Sequence, residues 1–216
     1  MPETTITTTT NTTTTIATPR PPPAMRSPIA GQAPFEKRSR SGQLGVLLRA
    51  ETLASVVQVS TWPAGIDALC VALQQAVAEL PPRVAGQTAA TQSGLLVRTG
   101  PEEFLLVCEQ ARDQVAAVRR HVTPDIGSVT DLSHARCRIH ISGGSCLDTL
   151  AKLYAIDFRS PAFPLGQARL TGHHHVPCLL HRLDADAFDV YVFTTYARDQ
   201  LATLIDAALE YGVALR

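Results

Sequence analysis

The chain has 216 residues, 45% of them apolar, with 19 basic and 19 acidic side chains. That length and apolar content supply a packed core and exclude disorder throughout. A formal charge of zero gives no overall field favouring nucleic acid or an anionic membrane, and no run approaches the roughly 18 apolar residues a membrane helix needs, so neither is expected as a partner. Five cysteines (Cys70, Cys108, Cys137, Cys146 and Cys178), with no C-x-x-C pair among them, argue against a disulfide framework or zinc ribbon. They read as small buried hydrophobes of a reduced, cytoplasmic protein.

Residues 1–42 differ from the rest. Eleven of the first 18 residues are threonine, and seven of the 15 prolines precede Gly42, so this stretch cannot bury enough apolar surface to offset its ordering entropy. A disordered tail over 1–42 and one folded domain over 43–216 are expected. The tail carries net charge +3, from five basic side chains against Glu3 and Glu36, which leaves −3 for the domain. Its start has neither a basic opening nor an apolar core, which argues against a secreted glycosylated stalk. Met25 stands where the composition turns ordinary and is a candidate translation start.

From Leu44 onward, 44–49 and 54–60 read as strands. Ile66, Leu69, Cys70, Leu73, Val77 and Leu80 form one helical stripe, opened near Pro63 and stopped by Pro81 and Pro82. Residues 94–99 and 104–108 make a hairpin through Gly100-Pro101, followed by a helix over about 110–122 and an extended run at 126–132. In 136–142, Cys137, Ile139 and Ile141 alternate with Arg136, Arg138 and His140, the pattern of a half-buried antiparallel strand. Gly143-Gly144 ends it. Ser145 with Asp148 approximates a capping box before a helix bearing Leu147, Leu150, Ala151 and Tyr154. Strands near 167–171, 177–183 and 187–193 precede a last helix over 196–210, stopped by Gly212.

One similarity links the halves. Phe104-Leu-Leu-Val107 followed by Ala111-Arg-Asp-Gln-Val-Ala116 recurs as Phe188-Asp-Val-Tyr191 followed by Ala197-Arg-Asp-Gln-Leu-Ala202. Strand, turn and helix opening repeat together, which predicts an α+β fold of two related halves of antiparallel sheet backed by helices.

The usual local signatures for dinucleotides, nucleotides and hydrolase serines are absent from the sequence. Asp131, Ser133 and His134 have the composition of a triad, but an extended chain points Asp131 and Ser133 to one face and His134 to the other. Strand termination with solvated side chains is the expected role. His173, His174 and His175 with Cys178 and His181 are the only cluster of metal-ligand types, and their spacing matches no structural zinc site, so a polar loop is expected there. Glu102-Glu103 and Asp184 with Asp186 read as solvated hairpin tips. No catalytic, cofactor-binding or metal residue is therefore assigned.

The run Asp131-Leu-Ser-His-Ala-Arg136-Cys-Arg138-Ile-His-Ile-Ser-Gly143, followed by Asp148-Thr-Leu-Ala-Lys152, resembles the gamma subunit of heterotetrameric sarcosine oxidases. Further matches follow in family order: Arg26-Ser27-Pro28, Gly100 to Leu106, Ala162-Phe163-Pro164-Leu165-Gly166, Leu180-His181-Arg182-Leu183 and Phe188-Asp189-x-Tyr191-Val192. Cys137 and His140 depart from the Thr and Arg common in the family. The resemblance spans about residues 26–212 and implies a fold similar to the folate-binding domain of the glycine-cleavage aminomethyltransferase.

It also implies an accessory subunit whose alpha, beta and delta partners hold the complex's NAD, FAD, FMN and zinc, with no cofactor in this chain. Such a complex demethylates sarcosine, or a related N-methyl amino acid, to glycine, with hydrogen peroxide and either formaldehyde or 5,10-methylenetetrahydrofolate as the other products. His134 and Arg136 are the expected interface residues, Arg136 because its planar fork suits desolvated ion pairs. The competing expectation is a free-standing folate-binding one-carbon transferase, with Asp131 as the pterin anchor.

Overall fold

The computed structural model describes residues 27–109 and 113–216. Most of the expected tail and the expected helix opening at 110–112 lie outside the described residues. In chain order the elements are β1 (Phe35–Lys37), β2 (Val46–Glu51), β3 (Ser55–Ser60), α1 (Ile66–Val77), β4 (Thr88–Thr91), β5 (Gly94–Gly100), β6 (Glu103–Cys108), α2 (Gln114–Arg119), β7 (Ser128–Asp131), β8 (Arg136–Ser142), α3 (Cys146–Leu153), β9 (Ala168–His173), β10 (Val176–Asp184), β11 (Ala187–Phe193), α4 (Ala197–Ala208) and β12 (Val213–Leu215).

They build two sheets, one ordered β4-β5-β6-β3-β7 and the other β1-β12-β2-β8-β11-β10-β9. The expected α+β halves are present, and the repeat is longer than the sequence match: β3-α1-β4-β5-β6-α2-β7 recurs element for element as β8-α3-β9-β10-β11-α4-β12. In the first unit β7 pairs directly with β3. In the second, β2 lies between β8 and β12, antiparallel to one and parallel to the other. Thus β2, which chain order places with the first half, belongs to the sheet of the second.

Each sheet buries both faces. Val57, Val59, Leu96, Phe104 and Leu106 pack under α1 and α2, while Ile139, Ile141, Leu180, Phe188 and Val190 pack with residues of α3 and α4. The alternate residues of the same strands, among them Val56, Val97, Leu105, Val107, Leu179 and Tyr191, meet in a third cluster where the sheets face each other. Alternation of side chains along a strand supplies both layers at once. The order of layers is helix, sheet, sheet, helix.

Several expectations need correction. Ordered structure begins before residue 43, because Phe35–Lys37 pairs with β12 and Ile29 is buried. The second helix is short: Asp113 caps it by accepting from Ala116 N–H at 2.9 Å, so the described helix starts at Gln114. Helix α1 ends at Val77, ahead of the prolines, where Ala78 turns left-handed with φ 56° and its N–H bonds to Gln74. Ser145 makes no side-chain cap. Gly143 does end β8, with φ +117° and no room for a side chain, since a Cβ there would stand 2.4 Å from the Gly45 carbonyl oxygen.

The repeat also extends to side chains. Arg98 Nε donates to the carbonyl of Gly100, Nη2 to that of Pro101 and Nη1 to those of Pro82 and Arg83, with its guanidinium over Phe104. Arg182, 84 positions later, donates from Nε to Asp184, from Nη2 to Ala185 and from Nη1 to Phe158 and Phe163, with its guanidinium over Phe188. Both arginines sit at register shifts, between residues 98 and 100 and between 182 and 184. Each ties the end of its hairpin to the loop that precedes it.

Candidate functional site between the two sheets

The polar side of β8 points into the space between the sheets. Arg138 is only 9% exposed and reaches three carboxylates: Glu109 at 2.5 Å, Asp189 at 3.5 Å and Glu51 at 3.7 Å. Asp189, mid-strand in β11, also meets His140 Nδ1 at 2.9 Å. Desolvation pulls the Arg138 pKa down, but the Glu109 hydrogen bond and the Asp189 charge outweigh it and the pKa is raised. Burial raises the Tyr191 pKa, with Asp189 acting in the same sense. An open cavity of about 250 Å³ lies over this cluster, bordered by Gly94, Glu109, Arg138, His181, Asp189 and Tyr191. The cluster's Arg138–Glu109 pair joins one sheet to the other.

Asp131, Ser133 and His134 lie where the chain crosses between the sheets. Asp131 accepts from Ser133 N–H at 2.9 Å and from its hydroxyl at 2.6 Å, bonds that lower its pKa. The Ser133 hydroxyl in turn accepts from Val56 N–H at 3.1 Å, just after the other crossing at Thr52–Ala54. Ser133 is therefore buried and structural instead of solvated. Asp131, the candidate pterin anchor, has its carboxylate engaged within its own turn. His134 is exposed, and its carbonyl accepts from Thr194 Oγ1 at 2.9 Å. Arg136 is half-buried, its guanidinium 3.7 Å from the Phe193 ring centroid. The two expected interface residues both border a small cleft with Glu51, Thr52, Ser133 and Thr194.

The histidine run forms a two-residue hairpin turn: His173 pairs with Val176, and both His174 (φ 48°) and His175 (φ 66°) are left-handed. His173 is buried, shares a hydrogen bond with Gln200 at 3.2 Å and stacks on His174. Its pKa is lowered by burial and by the His174 charge. Among the described residues no group of three or more metal-ligand side chains is placed to hold an ion, and no helix is long and apolar enough to cross a membrane. Glu103 is not a solvated tip: Thr99 Oγ1 donates to one of its oxygens at 2.6 Å and Gln58 Nε2 to the other. Four cysteines are buried as expected, and Cys70 is half-buried.

The sequence reading missed Arg138, Asp189 and Glu109 as a group. A signal existed: a carboxylate at the centre of the apolar strand AFDVYVF needs a cation on a neighbouring strand. Arg138 and His140 provide it, with His140 directly opposite Asp189 in the β8–β11 register.

No family model matches the chain. A curated relative from Corynebacterium sp. (strain U-96), named sarcosine oxidase subunit gamma, is 26% identical over 191 residues, which is 88% of this chain and 92% of that protein. Among solved structures, the heterotetrameric sarcosine oxidase from Corynebacterium sp. U-96 in complex with pyrrole 2-carboxylate contains a similar chain, with TM-score 0.69, 23% identity, and coverage of 78% of this chain and 88% of that one. The glycine cleavage system aminomethyltransferase T from Bartonella henselae superposes with TM-score 0.59 at 15% identity, over 80% of this chain and 48% of that one. The chain is thus similar to sarcosine oxidase gamma subunits along most of its length, and it shares its fold with the aminomethyltransferase.

Proposed function

We propose that this relative of sarcosine oxidase gamma subunits is itself the non-catalytic gamma subunit of a heterotetrameric, sarcosine oxidase-type flavoenzyme. The observation that carries the reading is likeness from end to end, 88% of this chain against 92% of a curated gamma subunit. The motif residues support it, because Asp131, Ser133 and Arg138 are engaged in holding the two sheets and their crossings together and Arg182 ties a hairpin to its preceding loop. The alpha, beta and delta subunits supply the FAD, FMN, NAD and zinc and carry out oxidative demethylation of sarcosine or a related N-methyl amino acid in the cytoplasm. His134, exposed at the crossing, is a proposed contact with those partners.

Co-expression with the three other subunits tests this. A four-chain assembly that oxidises sarcosine, and that loses this stability or activity when the present chain is left out, is the expected result. An isolated chain that retains a yellow flavin, oxidises an N-methyl amine or binds tetrahydrofolate tightly overturns the reading.

A further inference from the structure

Trp62, the only tryptophan of the chain, is 84% exposed. A side chain with that much apolar surface is ordinarily well covered. It stands just past the end of β3, before the turn that leads into α1. Beside it lies an open groove of about 290 Å³, bordered by Ser60, Thr61, Pro124, Asp125 and Ser128. The hydroxyls of the groove are occupied within the fold: Ser60 bonds to Ser128 at 2.8 Å, and Thr61 donates to the Ile126 carbonyl at 2.6 Å. What remains for a visitor is the indole, the exposed Pro124 ring and the exposed carboxylate of Asp125. The Thr123 hydroxyl holds the Asp125 pKa below the ordinary carboxylate value, so its charge is present at neutral pH. No basic side chain borders the groove among the described residues.

Three kinds of polypeptide segment dock on protein surfaces through their secondary structure. A strand adding to this sheet would have to pair with the outer edge of β7. Leu132 N–H bonds to the Val56 carbonyl and the register runs on to Ser128 opposite Ser60, so the Val129 carbonyl faces outward, where Arg119 Nη2 already donates to it at 3.3 Å. A docking helix needs several apolar anchor sites a turn apart, and this groove has one aromatic residue. A proline-rich segment in the polyproline II conformation needs neither, because its backbone forms no ladder and its rings stack on a flat indole. The single charge of the groove, Asp125, adds a preference for a segment that carries a cation.

We propose that the Trp62 groove docks an extended, proline-rich segment of a partner polypeptide, with a proline against the indole and a basic side chain of the segment against Asp125.

The full chain is titrated with the peptide acetyl-PPRPPPP-amide while the emission of Trp62, the only indole present, is followed. A saturable blue shift with a midpoint on the order of 10–100 µM is expected. The glutamate-for-arginine peptide binds about 3–10-fold more weakly, a gap that narrows at high salt, and a peptide with alanine in place of every proline gives no saturable shift. The same peptides carrying fluorescein, followed by anisotropy, report on variants. Trp62→Ala loses the binding, and Asp125→Asn loses the preference for arginine over glutamate. Both side chains are exposed, so these variants fold as the parent does. Because Pro19-Arg20-Pro21-Pro22-Pro23 has the same chemistry as the probe, each titration is repeated in the full chain carrying Pro21→Ala, Pro22→Ala and Pro23→Ala, where those prolines cannot compete. No saturable shift in either background, an equal response to the alanine peptide, equal binding of the arginine and glutamate peptides by the parent, or anisotropy unchanged by Trp62→Ala overturns the proposal. None of these readouts depends on whether the chain assembles with other subunits.

Discussion

Arg98 in the five-stranded half and Arg182 in the seven-stranded half make the same set of bonds, yet Arg98 is only partly buried whereas Arg182 is 4% exposed. The loop carrying Phe158 and Phe163 covers Arg182, and both rings pack against Phe188 beneath it. Water can replace the hydrogen bonds of Arg98 but not those of Arg182, so one joint, used twice, differs in worth through burial alone.

The sharpest way to break this comparison is to truncate each arginine. Arg182→Ala leaves the carbonyls of Phe158 and Phe163 without their donor and is expected to cost about 3–5 kcal/mol, against about 1 kcal/mol for Arg98→Ala. Urea unfolding reads both, and equal losses would show that burial is not what separates the halves. Next in size is Gly143→Ala, which forces a methyl against the Gly45 carbonyl at a positive φ. A loss of about 2–3 kcal/mol is expected by the same measurement.

Ser133→Ala removes the acceptor of the Val56 N–H where the two crossings meet, with an expected cost of about 1–2 kcal/mol. Because that bond joins the halves instead of serving either one, hydrogen exchange should quicken at both crossings. A change confined to one crossing would count against their coupling.

Acid should also separate the halves. His181 and His173, buried in the seven-stranded half, have pKa values lowered from 6.5, in each case first by burial. Below pH 6.5 the unfolded chain therefore binds more protons than the folded one. Their contribution to stability is complete above that pH and declines as pH falls through the lowered folded values. The five-stranded sheet has no buried histidine among the described residues. Amide protection between pH 7.5 and 5 should fall first in β9 and β10, and uniform loss would contradict the assignment. The smallest effect is at the β9–β10 turn, where replacing His174-His175 with Asn-Gly relieves two left-handed histidines and should stabilise by about 0.5–1 kcal/mol in thermal unfolding.

Much of the fold was legible in the sequence. Strands such as β3, β6 and β11 announce themselves through dense Val, Leu and Phe, and the Phe104/Phe188 match exposed the duplication. Strands β1, β4 and β12 did not, because three or four residues such as FEK, TAAT and VAL carry too little periodicity. The site was harder. Alternation in β8 correctly separated Cys137, Ile139 and Ile141 from Arg136, Arg138 and His140, but a strand's pattern does not reveal what covers its polar face. Here a second sheet covers it, brought there by residues distant in sequence. The pairing of Arg98 with Arg182 was hidden for a related reason, since their partners are main-chain carbonyls that any residue supplies.

The insertion of β2 beside β8 has a consequence for dissecting the gene. A fragment ending at residue 133 would carry β2 away from both strands that flank it, and the complementary fragment would have a gap between β8 and β12. The duplicated units follow in tandem, but the sheet of the second is completed by a strand that precedes the first, so the second is not expected to survive such a cut. Splitting this polypeptide would require moving β2 to the second fragment, as a circular permutation does.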